Sequence, residues 1–198
     1  MNERTQKIYK QLLNDYHALY CMETEILQAY EMLRGCYAGK NKVLICGNGG
    51  SAADCEHIVG ELMKGFMLPR TVEGVAVNRL QGTLRAISLV SQTALISAIA
   101  NDIGADMIFA QQVYGYMDNG DVLIALSTSG NAANVVKAAE TALMLGGKVL
   151  AITGKSGGTL KNVSTLSLCF PFDETYKIQE YTLPVYHALC AMLESEFF

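Results

Sequence analysis

Apolar residues recur every three or four positions at both ends of the chain, which is the spacing typical of helices. This spacing holds throughout residues 3–37 and returns in residues 176–198, where Pro184 lies inside the pattern. We therefore predict an N-terminal helical region over 1–40 and a C-terminal helix over 176–198, with an α/β core over 41–175 between them.

Short continuous apolar runs replace the helical spacing in the core, and such runs are typical of buried strands. Three of them open into a loop rich in glycine, serine or threonine, followed by a helix-like segment. The runs occupy residues 42–47, 85–90, 121–130, 148–158 and 166–172. This alternation predicts an α/β protein whose parallel sheet is covered by helices on both faces. The stretch 67–84 has no clean period and predicts a loop at the sheet edge, and no linker divides the chain, which favours one domain over 1–198.

Composition and charge narrow the class of protein. The 198 residues are 51% hydrophobic and 17% charged with a net charge of −4, which indicates a folded protein without the basic patch that nucleic acid requires. The N-terminus is too charged for a signal peptide, and no window is long and apolar enough for a membrane span. Six cysteines without a CxxC pair favour reduced thiols in the cytoplasm over a thiolate zinc site.

The loop GNGGSA at 47–52 fits the glycine pattern of a dinucleotide-binding loop, but that signal is weak by itself. A dinucleotide site also needs an acidic residue after the next strand, and the only nearby candidate, Glu73, lies in the irregular stretch. A second phosphate-loop pattern, around GKS at 154–156, is excluded because Val149 stands where the motif requires glycine. Neither nucleotide motif is therefore favoured.

A simpler prediction for the first loop is an anion site. Glycines let the backbone approach an anion, and Ser51 stands where a helix begins, so free N–H groups and a positive helix end are available. The loop STSGN at 127–131, in which the 121–130 run ends, adds three hydroxyls, from Ser127, Thr128 and Ser129. The alternative is two ordinary turns with capping serines. Because both loops fall at one edge of a parallel sheet, a phosphate monoester site is favoured.

Two predicted helices carry polar side chains that suit proton transfer or metal binding. In the helix over 51–66, His57 and Glu61 lie one turn apart on the polar side, where the alternative is a solvated ion pair. In the C-terminal helix, Gln179 and His187 are eight positions apart and point broadly the same way, and the alternative there is a capped or buried histidine. Two imidazoles, a carboxylate and an amide oxygen match the ligands of a zinc site, provided that they meet in space.

Taken together, five segments resemble the sugar isomerase (SIS) domain and, within it, the phosphoheptose isomerase family. The resemblance covers nearly the whole chain, and its most specific feature is the match of the two histidines, the glutamate and the glutamine to that family's zinc ligands. The segments are CGNGGSAADCEHIVGEL (46–62), IANDIGADMIFAQQV (99–113), ALSTSGNAANVVKAAE (125–140), ITGKSGG (152–158) and IQEYTLPVYHALCAMLE (178–194).

The resemblance implies a flavodoxin-like three-layer α/β/α sandwich around a five-stranded parallel sheet, in a cytoplasmic homotetramer with sites at subunit interfaces. It implies isomerisation between sedoheptulose 7-phosphate and D-glycero-D-manno-heptose 7-phosphate through an enediol, with Glu61 and His187 as the acid/base pair. One Zn²⁺ per subunit is implied, with the ligands His57, Glu61, Gln179 and His187. Substrate contacts are implied for Asn48, Gly49, Gly50, Ser51, Glu61, Asn101, Asp102, Ser127, Thr128, Ser129 and Gln179.

The chain departs from that family's pattern around the predicted pocket. Ala132 replaces the usual serine, Gly65 stands where an arginine is common, Tyr176 replaces an aspartate, and the stretch 67–84 is longer than usual. These changes spare the acid/base pair and bear on the identity of the sugar, so an isomerase for a different sugar phosphate is one alternative. A non-catalytic SIS-domain sugar-phosphate-binding or replication-regulatory protein is another, but retention of the acid/base pair favours the enzyme.

Overall fold

Five parallel strands form the sheet at the centre of the computed structural model, which describes residues 1–74 and 79–198. The strands are β1 (Val43–Gly47), β2 (Ala86–Ser88), β3 (Val122–Ser127), β4 (Lys148–Thr153) and β5 (Leu166–Cys169). Their order across the sheet is β2-β1-β3-β4-β5, and every neighbouring pair is parallel. Each strand falls within a predicted apolar run, and the order is the flavodoxin-like one, so the predicted fold class is confirmed.

Helices connect the strands and cover both faces of the sheet. The helices in the described ranges are α1 (Glu3–Asp15), α2 (Glu23–Ala38), α3 (Gly50–Met63), α4 (Thr93–Asp102), α5 (Ala110–Tyr116), α6 (Ala133–Met144), α7 (Gly158–Asn162) and α8 (Thr175–Phe197). Two short 3₁₀ helices occupy His17–Met22 and Ala105–Met107.

Side chains alternate between the two faces of the sheet, as the period of a strand requires. In β1, Val43 and Ile45 pack with residues of α1, α2, α3 and α8, whereas Leu44 and Cys46 pack with residues of α5, α6 and α7. All four side chains are fully buried. The core therefore lies in two apolar layers, one on each side of the sheet, as in the predicted sandwich.

The N-terminal helical region is interrupted, so the prediction of continuous helix over 3–37 is wrong. Helix α1 ends at Asp15, and Tyr16 leaves the helical conformation with φ −128° and ψ 72° before the first 3₁₀ helix. The Tyr16 ring packs edge-on against Tyr181 of α8, with ring centroids 6.0 Å apart, and Leu19 is fully buried. Packing against α8 and the core thus overrides the helical period at this point.

Helices α3 and α8 carry all of the predicted catalytic and metal-binding residues and pack side by side. Gly50 at the start of α3 lies against the Gln179 amide of α8, and His57, two turns further along α3, contacts His187. The two helices therefore run in the same direction. This pairing determines which predicted residues can meet.

The bounds of these two helices differ slightly from the predicted ones. The helix predicted over 51–66 ends at Met63, because Lys64 takes an extended conformation with φ −140° and ψ 174°. The helix predicted over 176–198 is continuous through Pro184.

The stretch 67–84 is irregular in its described part, which contains an isolated antiparallel bridge between Thr71 and Gln81. Arg70 in this stretch is nevertheless only 1% exposed. The residues 75–78 of the stretch lie outside the described residues.

All six cysteines are free thiols, and four of them are buried. Burial raises the pKa of Cys36 to about 11 and that of Cys190 to about 12, which keeps both thiols protonated at neutral pH. In the described ranges every helix is too short or too polar to cross a membrane.

Candidate functional site

The loops after β1 and β3 meet at the carboxyl edge of the sheet, where they enclose a cavity of about 340 Å³. We call it the cradle. Its lining residues are Asn48, Gly49, Gly50, Ser51, Leu126, Ser127, Thr128, Ser129, Ala132, Thr175 and Gln179. The cradle therefore unites the two loops that the sequence assigned to a phosphate, together with the predicted glutamine of α8.

The chemistry of the cradle suits an anion. All of its lining residues are uncharged, and Ser51 and Ser127 are nearly buried, at 6% and 7% exposure. Gly50 and Ser51, the first residues of α3, line the cavity, so the positive end of that helix faces it. Among the described residues no side chain caps this helix end through a hydrogen bond. Backbone N–H groups and hydroxyls can then bind a phosphate without a cationic side chain.

Contacts between neighbouring loops hold the cradle together. The amides of Asn48 and Asn134 form a reciprocal pair of hydrogen bonds, each 2.9 Å long, which joins the β1–α3 loop to α6. Gly130, with φ +66°, packs so closely on the next loop that a Cβ atom there would overlap the carbonyl group of Gly157. Only glycine fits this position, because it tolerates both the left-handed backbone and the close approach.

A second group of polar residues lies further along α3 and α8, and we call it the histidine cluster: His57, Glu61 and His187. The His57 Nε2 atom lies 3.2 Å from Glu61 Oε1 and 3.3 Å from His187 Nε2. The Glu61 side chain is only 12% exposed, so the alternative of a solvated ion pair does not describe it. The two predicted acid/base residues therefore both contact the same imidazole.

Tyr186 contacts the histidine cluster through its hydroxyl group. Its hydroxyl lies 2.8 Å from His57 Nδ1 and donates to Asp54 Oδ1 at 3.3 Å. Burial and then the Asp54 charge raise the pKa of Tyr186, so the phenol stays protonated. If its proton goes to Asp54, the His57 Nδ1–H donates to the phenol oxygen, which leaves the Nε2 lone pair directed at the cluster.

Burial, reinforced by neighbouring His57, lowers the pKa of His187, although Glu61 opposes the shift. A neutral imidazole is therefore favoured at pH 7. Such a group can accept a proton or hold a metal ion.

The histidine cluster offers two imidazoles and a carboxylate, which are donor types that zinc takes. Tetrahedral zinc with nitrogen or oxygen ligands about 2.0–2.1 Å away separates neighbouring donors by about 3.3 Å, close to both contacts of His57 Nε2. The three side chains form an open row, however, and among the described residues no group of three or more histidine, cysteine, aspartate or glutamate side chains is arranged so that it could hold a metal ion.

The structure does not bring every predicted site residue together. Gln179 lies in the cradle, and its eight-residue separation from His187 corresponds to about 12 Å along α8. The predicted fourth zinc ligand therefore belongs to a different part of the site within this chain. Asn101 and Asp102 are exposed at the end of α4, hydrogen-bonded to each other at 2.7 Å, and neither lines the cradle.

A family model for the SIS domain matches residues 9–154.

The chain belongs to the SIS domain family.

Phosphoheptose isomerases within this family are similar to the chain over nearly its whole length. The one from Helicobacter pylori is 39% identical over 180 residues, which is 91% of this chain and 88% of the relative. The one from Akkermansia muciniphila is 34% identical over 187 residues, 94% and 93% of the two chains. A solved structure of phosphoheptose isomerase from Neisseria gonorrhoeae superposes with a TM-score of 0.80 at 32% identity, covering 98% of each chain. The resemblance to phosphoheptose isomerases is thus confirmed.

The departures from the phosphoheptose isomerase pattern have different structural settings. Ala132 lines the cradle, whereas Tyr176 is 60% exposed and lies outside its lining. A Cβ atom on Gly65 would lie 2.6 Å from the Leu68 carbonyl oxygen, so an arginine there would require a shift of the backbone. Only the first departure therefore changes the cradle wall.

Some residues of the site are not indicated by the sequence patterns. Thr175 lines the cradle at the start of α8, and Asp54 and Tyr186 support His57. Helical spacing could have found Asp54, which lies three positions before His57 on the same face of α3. Tyr186 stands among apolar residues of α8 and resembles an ordinary core aromatic in sequence, although its ring packs edge-on against both His57 and His187.

Proposed function

We propose that this SIS family protein interconverts sedoheptulose 7-phosphate and D-glycero-D-manno-heptose 7-phosphate as an aldose–ketose isomerase. The observation that supports this most is the arrangement of α3, which begins at the cradle and carries the histidine cluster. Gly50 and His57 are separated by about 10 Å along the helix. A sugar with phosphate at one end and a carbonyl at the other suits this spacing.

Aldose–ketose isomerisation moves one proton between adjacent carbons and another between their oxygens. A base must remove the proton from the carbon beside the carbonyl, and an acid must protonate the oxygen as the enediol forms. Glu61 and His187 supply two proton carriers around one imidazole. The near-burial of Glu61 reduces competition from water for the carboxylate.

We also propose one Zn²⁺ per subunit, held by His57, Glu61 and His187. When bound, zinc would polarise the substrate's oxygen atoms. The contacts of His57 Nε2 with Glu61 at 3.2 Å and with His187 at 3.3 Å support this proposal, whereas the Gln179 amide lies in the cradle. We assign Gln179 to the sugar phosphate.

A cytoplasmic homotetramer with sites at subunit interfaces is the assembly we propose. An apolar groove of about 450 Å³ between α1 and α8 reaches His187, and Phe66, Met67 and Leu183 are among its lining residues. A neighbouring subunit could close this side of the site. The exposure of Asn101 and Asp102 away from the cradle supports the same assembly, because these residues can then serve a neighbouring subunit's site.

The test is an NMR assay with sedoheptulose 7-phosphate, in which formation of the aldose is followed with and without a chelator. We expect Glu61→Gln to abolish turnover while the circular dichroism spectrum is unchanged, because the variant loses its proton acceptor. Glu56→Gln is the matched control: Glu56 is an exposed residue of the same helix that bonds to Ser91, and its loss should leave turnover intact.

Undiminished turnover by Glu61→Gln would contradict the acid/base assignment. A panel of five- to seven-carbon sugar phosphates, run with the wild type, separates a different isomerase from a protein that binds without turnover. Full activity after chelation, in protein that contains no metal, would exclude zinc.

A further inference from the structure

A fully buried ion pair lies beneath the histidine cluster. Arg70 Nε donates to Glu194 Oε1 at 2.8 Å, and both side chains are at most 1% exposed. Arg70 belongs to the irregular stretch 67–84, whereas Glu194 lies on α8 two turns beyond His187. The pair therefore joins the irregular stretch to the helix that carries one of the two proton carriers.

The rest of the guanidinium binds the end of α3. Its two terminal nitrogens donate to the carbonyl oxygens of Leu62 at 2.6 Å and Glu61 at 2.9 Å. The last carbonyl groups of a helix lack partners within the helix, so Arg70 completes the terminus of α3. The backbone of Glu61 is thereby held by the same group that is paired with α8.

The carboxylate of Glu194 holds the segment that follows α3. It accepts hydrogen bonds from the backbone N–H groups of Phe66 at 2.8 Å and Met67 at 2.7 Å. The Phe66 ring lies against the His187 imidazole, with ring centroids 5.5 Å apart. One partner of the pair thus touches the backbone of Glu61, and the other fixes the residue that packs on His187.

Stability alone is a weak reason for burying such a pair. Removing two charges from water is costly, and replacing a buried ion pair by apolar side chains is often neutral or stabilising. Apolar residues, however, cannot reproduce the five directed hydrogen bonds that this pair makes. The planar guanidinium group donates three of them, and the carboxylate accepts the other two from backbone N–H groups.

We propose that Arg70 and Glu194 are positioning residues that fix Glu61 relative to His187 for proton transfer. This inference rests on the proposed isomerase function. Neither side chain contacts the cradle lining, which lies near the opposite end of α3, so the pair governs the chemical step and leaves phosphate binding alone.

The test compares kcat, KM and thermal stability in Arg70→Lys, Glu194→Gln and the double variant Arg70→Met with Glu194→Met. Lysine keeps the positive charge of Arg70 but lacks its planar guanidinium group. Glutamine keeps the shape of Glu194 but loses its negative charge. We expect each variant to lose at least tenfold in kcat, with KM for the sugar phosphate within about twofold of the wild type. The double variant should regain part of the melting temperature that Glu194→Gln loses, because no unpaired buried charge remains, while its kcat stays low.

Asp121→Asn is the matched control. Asp121 pairs with Lys42 at 2.6 Å, is also 1% exposed, and lies at the amino edge of the sheet, away from the site. Its loss should lower the melting temperature without lowering kcat. A double variant that regains kcat along with stability would overturn the proposal and leave the pair a purely structural element.

A readout independent of turnover separates failure of this proposal from failure of the isomerase function. The chain has three histidines, so their ring resonances can be assigned and compared between variants by NMR. We expect the His57 and His187 signals to move in the double variant, while His17, outside the cluster, stays in place. Unmoved His57 and His187 signals would refute the positioning role even if the wild type turned over none of the sugars tested.

Discussion

At the scale of single residues, Gly50 leaves the space that the Gln179 amide occupies. A Cβ atom on Gly50 would lie 2.6 Å from Gln179 Nε2. We expect Gly50→Ala to displace this amide from the cradle and to raise KM for the sugar phosphate by about tenfold, the equivalent of one hydrogen bond to a charged group. Stability should be unchanged or higher by up to about 1 kcal/mol, because alanine favours the helix.

Gly60→Ala provides the control for that change. It lies in the same helix with open space where its Cβ would be, so it should bring the helix gain of up to about 1 kcal/mol without any change in KM. Steady-state kinetics and thermal unfolding on both variants check the prediction. If KM rose equally in the two, a general effect on α3 would explain the result better than the loss of the Gln179 contact.

The spacing of residues in the sequence predicted the histidine cluster only in part. The i,i+4 relation of His57 and Glu61 predicted that both side chains lie on one face of a helix. By itself this relation favoured a face exposed to solvent. The burial of Glu61 depends on α8 and on the segment after α3, which the local pattern does not include. Arg70 gave no signal, since it lies in a segment without a period and its bond to Glu194 spans 124 positions of the chain. Helical spacing also predicted that Gln179 and His187 point broadly the same way. It did not show that the rise of about 12 Å between them places the two residues in different parts of the site.

At the scale of elements, α6 begins without a side-chain cap. Its N-cap residue is Ala132, which has an extended backbone suited to capping but no hydroxyl. We expect Ala132→Ser to stabilise the protein by about 1 kcal/mol, because serine can accept a hydrogen bond from the first turn. In a chain of this size that gain corresponds to a rise of about 2–4 °C in melting temperature, measurable by calorimetry.

The serine introduced at position 132 would also line the cradle. Its hydroxyl would therefore have two alternative partners, a backbone N–H group of α6 and the phosphate. A lower KM without a rise in melting temperature would contradict the capping prediction and indicate a bond to the phosphate instead. Ala132→Val, which adds bulk without a hydroxyl, is the control and should produce neither gain.

The elements themselves were largely predictable because their patterns are local. Five apolar runs gave five strands, since a strand buried on both faces needs continuous apolar sequence. The break at Tyr16 was not predictable, because the apolar spacing continues through it and only the contact with Tyr181 shows where the chain turns.

At the scale of the whole molecule, the proposed tetramer predicts that two of the exposed leucines, Leu183 and Leu143, behave differently. Leu183 lines the groove beside His187 and is 41% exposed, whereas Leu143 on α6 is 40% exposed and lies outside the groove lining. We expect Leu183→Asp to lower the mass measured by light scattering from four chains to fewer, because an aspartate would be buried at the interface. Leu143→Asp should remain a tetramer, and equal dissociation of both variants would contradict this interface.

The reciprocal amide pair of Asn48 and Asn134 has a consequence for how the protein folds. The two residues are 86 positions apart, and they meet only after β1 and β3 have paired, which is a non-local and therefore slow event. A sugar phosphate that bridges their loops has nothing to bind before that step. The sugar phosphate should consequently slow unfolding and leave the refolding rate nearly unchanged. Substrate would then lengthen the lifetime of the native state without making the chain fold faster.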